Sequence, residues 1–318
     1  MLRIRSFVKD HDELEWVHVL NAAYGGFRDW RAITVEEFLR AVQRDSDSLY
    51  SERWIAELDG SPAGVVHVFE ERMENERRGV IHDLAIIPKL RGSGVEKEIV
   101  KFAVDELEKR KVNTILAPRL RWSDQEENNR VKLLEELGFS LIRKTSLMEI
   151  DLTRIPSDIE ANKRCSIRLL REHVEEDVEE LNSLRNESGQ ERWNFQPSTV
   201  EEIRHLLKNN PYSCFKGFFA VLDRKCVGFI IVAIDERYNS ERNVKAGIVL
   251  GLGVLKNCRK TGIGTALVLH GLEFLKTQQM TKAMLDVDDL NETGALRLYE
   301  KIGFKVLEKY LTYEKPLH

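Results

Sequence analysis

Between Asn257 and Leu267 the chain reads NCRKTGIGTAL, directly after the apolar run AGIVLGLGVL from Ala246 to Leu255. The run reads as a strand. Lys256, Arg259 and Lys260 then supply three cations, and Gly262 and Gly264 open a helix. The first amides of a helix lack intrahelical partners and carry partial positive charge, and glycines let them approach phosphate oxygens. The stretch Arg259, Lys260, Thr261, Gly262, Ile263, Gly264 and Thr265 therefore reads as an anion cradle, although the same turn would serve as a plain strand-to-helix join. Gly251 and Gly253 sit inside the strand, where glycine costs stability and signals a bulge or the close approach of another group.

The elements that must hold such a loop appear twice. Ile4-Arg5 and Ile167-Arg168 each open a strand followed by a helix, at an offset of 163. Thr34-Val35-Glu36-Glu37 recurs as Thr199-Val200-Glu201-Glu202 at an offset of 165, and each is a capping box. Gly138-Phe139 and Gly303-Phe304 share the offset of 165. The chain is thus a duplication, with domains expected at 1–150 and 166–318 and a polar linker at 151–165. Each half reads as strand, helix, helix, three strands, helix, strand, helix and two closing strands, an α/β sheet covered by helices.

At 318 residues and 42% hydrophobic content there is material for two cores. Lys plus Arg number 49 against 53 Asp plus Glu, a net charge of −4, so no global basic field recruits nucleic acid and any phosphate site is local. The amino terminus lacks the apolar core of a secretion signal, and no stretch approaches the roughly eighteen apolar residues of a membrane span. A cytoplasmic protein without a membrane partner is expected. The four cysteines, Cys165, Cys214, Cys226 and Cys258, show neither CxxC spacing nor a histidine partner, so neither a disulfide framework nor a zinc site is expected.

The second decisive stretch is Leu285 to Phe304, LDVDDLNETGALRLYEKIGF. With the loop it resembles the GCN5-related N-acetyltransferase (GNAT) superfamily, whose acetyl-CoA loop runs Arg/Gln-x-x-Gly-x-Gly/Ala and whose later motif runs Asn-x-x-Ala-x-x-Leu-Tyr-x-x-x-Gly-Phe. Arg259, Gly262 and Gly264 match the first motif. Asn291, Leu298, Tyr299, Gly303 and Phe304 match the second, with the small residue one place late at Ala295. The resemblance implies two tandem GNAT-like domains, each a mixed, mostly antiparallel sheet flanked by helices, with acetyl-CoA as acyl donor and no metal.

In that reading backbone amides around Gly253 and Val254 bind the thioester oxygen, which requires the strand to splay from its neighbour. Tyr299 is the general acid for the departing thiolate, and Asn291 holds the pantetheine arm or forms a turn. The glutamate that some members carry eleven positions before the loop Arg/Gln falls here on Ile248. Asp286 is taken as the base, acting through water, with Asp288, Asp235 and Glu236 as other carboxylates near strand ends. Trp193 and Phe195, between the first two helices of the second half, are expected to bound a pocket for an amine drawn in by Glu191 and these carboxylates.

The first half keeps Arg91 and Gly94 but has Glu96 at the second glycine, a carboxylate expected to repel a pyrophosphate, and Leu134 opposite Tyr299. It reads as a degenerate scaffold. The reaction expected is acetyl transfer from acetyl-CoA to a primary amine in the C-terminal domain. The competing reading is a non-catalytic acyl-CoA-binding or protein-interaction module. The oligomeric state is open.

Overall fold

A computed structural model of the chain describes residues 1–45, 50–73, 76–121, 125–155, 159, 161–162 and 164–317. The first repeat runs β1 Leu2–Ser6, α1 Glu13–Tyr24, α2 Val35–Asp45, β2 Ser51–Leu58, β3 Ser61–Met73, β4 Glu76–Ile81, β5 Ala85–Ile86, α3 Val95–Lys109, β6 Thr114–Arg121, α4 Gln125–Glu136 and β7 Ser140–Asp151. The second runs β8 Ser166–Leu169, α5 Glu175–Gly189, α6 Val200–Lys208, β9 Cys214–Leu222, β10 Lys225–Ile234, α7 Glu236–Arg242, β11 Ala246–Val254, α8 Ile263–Thr277, β12 Lys282–Asp288, α9 Ala295–Ile302 and β13 Lys305–Pro316. A single long strand closes each repeat where the sequence suggested two. Among the described residues, no helix is long and apolar enough to cross a membrane.

Two compact units result, but not at the boundaries expected. Unit 1 comprises Met1–Lys144 together with Lys309–His318, and unit 2 is Thr145–Glu308. The split at 150 and 166 misplaces both closing strands. In unit 1, Tyr310 to Pro316 pair antiparallel with β6, whereas in unit 2, Thr145 to Asp151 pair antiparallel with β12. Residues 145–151 thus belong with the second unit and the end of the chain with the first.

Each sheet is mixed and mostly antiparallel. In unit 1 the order is β1-β2-β3-β4-β6-β13, with β5 on β3 and β4/β6 as the parallel pair. In unit 2 it is β8-β9-β10-β11-β12-β7, with β11/β12 parallel. Helices on both faces bury the sheet. In unit 2, α8 and α9 supply Leu267, Leu272 and Ile302 to one core, while α5 and α6 supply Leu181, Leu184 and Ile203 to the other. Unit 1 repeats this with α3 on one face and α1 and α2 on the other.

The duplication extends to buried polar devices. Arg5 donates to Asp12 and Arg168 to Asp177, both carboxylates being 1% exposed. Against the burial that would raise it, hydrogen bonds from Arg5, His11 and the Val8 amide hold the Asp12 carboxyl down at about 2. Asn21 clamps both backbone groups of Ile33, and Asn186 those of Ser198, so each helix-to-helix connection is pinned alike. Both capping boxes form: the Thr34 and Thr199 hydroxyls accept from the Glu37 and Glu202 amides, and the Glu carboxylates accept from the Thr amides.

Candidate active site

The centre of unit 2 is set by where β11 stops pairing. Its parallel ladder with β12 covers Ala246, Gly247 and Ile248 and ends there. On the other side it stays paired with β10 as far as Gly228/Val254, with Leu250 as an extra residue in a bulge. Leu255 N–H donates to the Val227 carbonyl, so Gly228/Val254 is a non-hydrogen-bonded pair and Phe229/Gly253 a hydrogen-bonded one. Gly253 therefore turns its amide toward β10, while Leu252 and Val254 turn theirs into the wedge. Gly253 is not an amide donor there; Leu252, which the sequence reading passed over, is. What demands glycine at 253 is packing, since a Cβ would meet Phe229 and the Ser188 hydroxyl at 2.4 Å.

The two carbonyls on the wedge side are occupied by arginines. Arg192 donates to Leu252 O at 2.7 Å, and Arg259 Nε donates to Val254 O at 3.0 Å. Arg259 also donates to Ser188 O at 3.2 Å and pairs with Glu191, which holds Lys256 at 2.6 Å as well. The Arg259 side chain thus ties the end of β11 to the end of α5. Its counterpart Arg91 donates to Ala23 O near the end of α1, so the arginine common to both repeats is explained by this brace rather than by a phosphate. Hydrogen bonds from Lys256 and Arg259 lower the Glu191 carboxyl to about 2. Glu191 is therefore engaged with the loop and adds no net charge to draw in an amine.

Past a short 3-10 turn at Lys256–Cys258, Lys260 at φ +61° and Gly262 at φ +84° take left-handed conformations, and α8 begins at Ile263. Asn162 holds this loop by its carbonyls: its backbone N–H donates to Gly262 O at 3.2 Å and its Nδ2 to Thr261 O at 2.9 Å. The Thr261 hydroxyl donates to Cys258 O. With the carbonyls engaged, the amides of Lys260, Thr261, Gly262, Ile263, Gly264 and Thr265 have no hydrogen-bond partner among the described residues. Ile263 and Thr265 have buried side chains, so only their backbones are available to a ligand. A row of such amides at a helix start is an anion-binding surface.

Tyr299 lies in α9, 6% exposed, with its ring edge-on to Phe304 at 5.6 Å. Its hydroxyl has no hydrogen-bond partner among the described residues. Burial pushes the phenol up to about 12, the nearby charge of Arg192 opposing, so it is protonated at neutral pH and able to donate. Asp286 is exposed on β12, on the face opposite the buried Leu285 and Val287. Asp288 accepts from the Leu290 amide, and Asp289 from the Ser146 hydroxyl at 2.5 Å. Asp235 and Glu236 do not flank an opening as strand ends. They start α7, an unanticipated helix, with Asp235 capping the Tyr238 amide.

Asn291 forms the turn before α9, its Oδ1 accepting from Thr293 N at 2.9 Å and from the Thr293 hydroxyl, which leaves Nδ2 for a ligand. In the segment between α5 and α6, Phe195 packs on Gly189, where a Cβ would sit 2.5 Å from its ring, while Trp193 is 37% exposed. The two aromatics thus part: Phe195 is packing and Trp193 is surface.

The corresponding loop of unit 1 borders a cavity of about 420 Å³ lined by Arg91, Gly94, Glu96, Lys97 and Arg130, among others. Glu96 forms an ion pair with Arg130, both largely buried. The expected repulsion between Glu96 and an anion is therefore offset within the unit. Leu134, 1% exposed, is core and supplies no proton.

A protein-family model described as the Acetyltransferase (GNAT) family matches residues 15–139 and again 178–304. Among curated proteins, a mycothiol acetyltransferase from Salinispora arenicola is 24% identical over 263 residues, 81% of this chain and 79% of the relative. One from Acidothermus cellulolyticus is 26% identical over 239 residues, 70% and 67% of the two chains. Among solved structures, a tandem GNAT protein from the clavulanic acid biosynthesis pathway superposes with a TM-score of 0.75 at 13% identity, over 99% of this chain and 98% of that one. A GCN5-related N-acetyltransferase from Sphaerobacter thermophilus gives a TM-score of 0.69 at 20% identity, over 99% and 95%. At such identities the likeness is one of fold.

Proposed function

The chain belongs to the GNAT acetyltransferase family, and on that premise we propose that unit 2 transfers the acetyl group of acetyl-CoA to a primary amine, on a small molecule or a peptide terminus. The observation that carries this is the pairing, in one unit, of an amide row at Lys260 to Thr265 with a buried phenol, neither the amides nor the hydroxyl having a hydrogen-bond partner among the described residues. The amides hold the diphosphate, Asn291 Nδ2 meets the pantetheine arm, and the Leu252 and Val254 amides polarise the thioester carbonyl. The amine nitrogen attacks that carbon, the C–S bond breaks, and Tyr299 gives its proton to the departing thiolate. The amine's surplus proton leaves through water to Asp286, and Trp193 borders the acceptor.

Unit 1 lacks the acid, with Leu134 in its place, and serves as a scaffold. Four free thiols suit a reducing, cytoplasmic compartment. The test is thiol release from acetyl-CoA across a panel of amines, peptides and polyamines. Turnover with a primary amine, lost in Tyr299→Phe, is expected. Acetyl-CoA binding without release across the whole panel would favour a non-catalytic acyl-CoA-binding module.

A further inference from the structure

Unit 1 contains a cluster that acyl transfer does not use. His67 on β3 is 3% exposed, and its Nδ1 lies 3.9 Å from Asp83 Oδ2. His82 Nδ1 lies 2.9 Å from Asp83 Oδ1, and one ligand atom from each of the three residues falls within 4.8 Å of the others. His82 and Asp83 occupy the break between β4 and β5, where the backbone is fixed by the His82 amide donating to His67 O at 2.8 Å. Aligning Arg91 with Arg259 sets His82 and Asp83 opposite Leu250 and Gly251, the bulge at the wedge of unit 2. The first unit thus places two imidazoles and a carboxylate where the second opens its strand to a ligand.

We propose that His67, His82 and Asp83 bind a divalent transition-metal ion of the zinc type. Tetrahedral zinc with bonds of about 2.1 Å separates its ligand atoms by roughly 3.4 Å. His67 and His82 approach different oxygens of Asp83, at 3.9 and 2.9 Å, so an ion must displace the His82–Asp83 hydrogen bond and a small rotation must bring one oxygen to both rings. Two imidazoles and one carboxylate are a donor set such ions accept, and three protein ligands leave a fourth position for water. An outer shell is already in place. The Ser51 hydroxyl lies 2.8 Å from His67 Nε2, so with Nε2–H donating to it, the Nδ1 lone pair faces Asp83. An ion enters from the His82 side, where that side chain is 51% exposed. The opposing influence is Arg53, directly across the ladder from His67, whose guanidinium lies over Trp16 and Phe38 at 6.0 and 5.8 Å. Its charge weakens the site without occupying it.

The test uses the full chain without a histidine tag, stripped with chelator and titrated with zinc and with cobalt(II). One equivalent is expected to bind, with ligand-field absorption for cobalt. His82→Ala, an exposed change that keeps the fold by circular dichroism, should abolish that equivalent, and Ser51→Ala should weaken it about tenfold or more. Failure of the full chain to bind either ion at one equivalent overturns the proposal, as does equal binding by His82→Ala.

Discussion

Replacing Gly264 with glutamate imports into unit 2 the residue that unit 1 carries as Glu96. Position 264 lies in the first turn of α8 with helical backbone, and a Cβ there would stand 3.2 Å from Leu298 Cδ2 and 3.8 Å from Val254 Cγ2. A small shift of the Leu298 terminus admits it, so Gly264→Ala separates bulk from charge and should alter acetyl-CoA affinity little. A glutamate adds a negative charge beside the amides proposed to hold the diphosphate. At roughly 6 Å and an effective dielectric constant of ~20, each phosphate charge is repelled by about 3 kcal/mol. Even one such interaction corresponds to a loss of about 100-fold in affinity. In unit 1 the carboxylate is answered by Arg130, whose counterpart at an offset of 165 is Ala295. Gly264→Glu combined with Ala295→Arg should therefore recover at least about tenfold, since a paired carboxylate no longer repels at full strength. Calorimetric titration with acetyl-CoA reads all three variants. Wild-type affinity in a folded Gly264→Glu protein would refute the placement of the diphosphate on this loop.

Tyr299→Phe should leave the melting temperature nearly unchanged, because the hydroxyl makes no hydrogen bond among the described residues, and should cut turnover by about 100-fold while acetyl-CoA still binds. Undiminished thiol release would remove the phenol from catalysis. Trp193→Ala, at a partly exposed site, should raise the acceptor KM with little change in acetyl-CoA affinity; loss of cofactor binding instead would place Trp193 in the cofactor site. Asp12 titrates at about 2 in the folded protein against 3.8 ordinarily, so it contributes about 2 kcal/mol that is full above the ordinary value and vanishes as pH falls toward 2. Urea unfolding should show that loss, and a flat profile between about pH 4 and pH 2.5 would contradict it.

How much of this could be read beforehand follows the range of each interaction. The capping boxes at Thr34 and Thr199 and the left-handed Gly262 are decided within a few residues, and a repeat offset makes them visible twice. Strand membership is decided by partners far along the chain. Residues 145–151 and 309–316 look like the closing strands of the repeats they follow, and nothing local shows that each serves the other unit. The same blindness affected side chains whose partners are remote. Glu191 reads from the sequence as available to an amine but meets Arg259 from 68 positions away, and His67 on β3 meets His82 and Asp83 only because the break after β4 lies beside it. Arg192 lay in the segment singled out for its aromatics, yet its hold on Leu252 needed the path of β11 to be seen.

The membership of Lys309–Pro316 in the first unit imposes a schedule on synthesis. These residues are made after the other strands of both units, and β6 lacks this antiparallel partner until they arrive. At roughly 10 residues per second, the interval after β7 has been made is some 15 seconds. Throughout it the first unit waits with an open edge and an uncovered part of its core, where Leu311 and Tyr313 will finally sit. The second unit, Thr145–Glu308, is contiguous and can close before Lys309–Pro316 have been made. The later-made unit is thus the first able to mature, and a nascent chain stalled short of Lys309 carries a finished second unit and an incomplete first one.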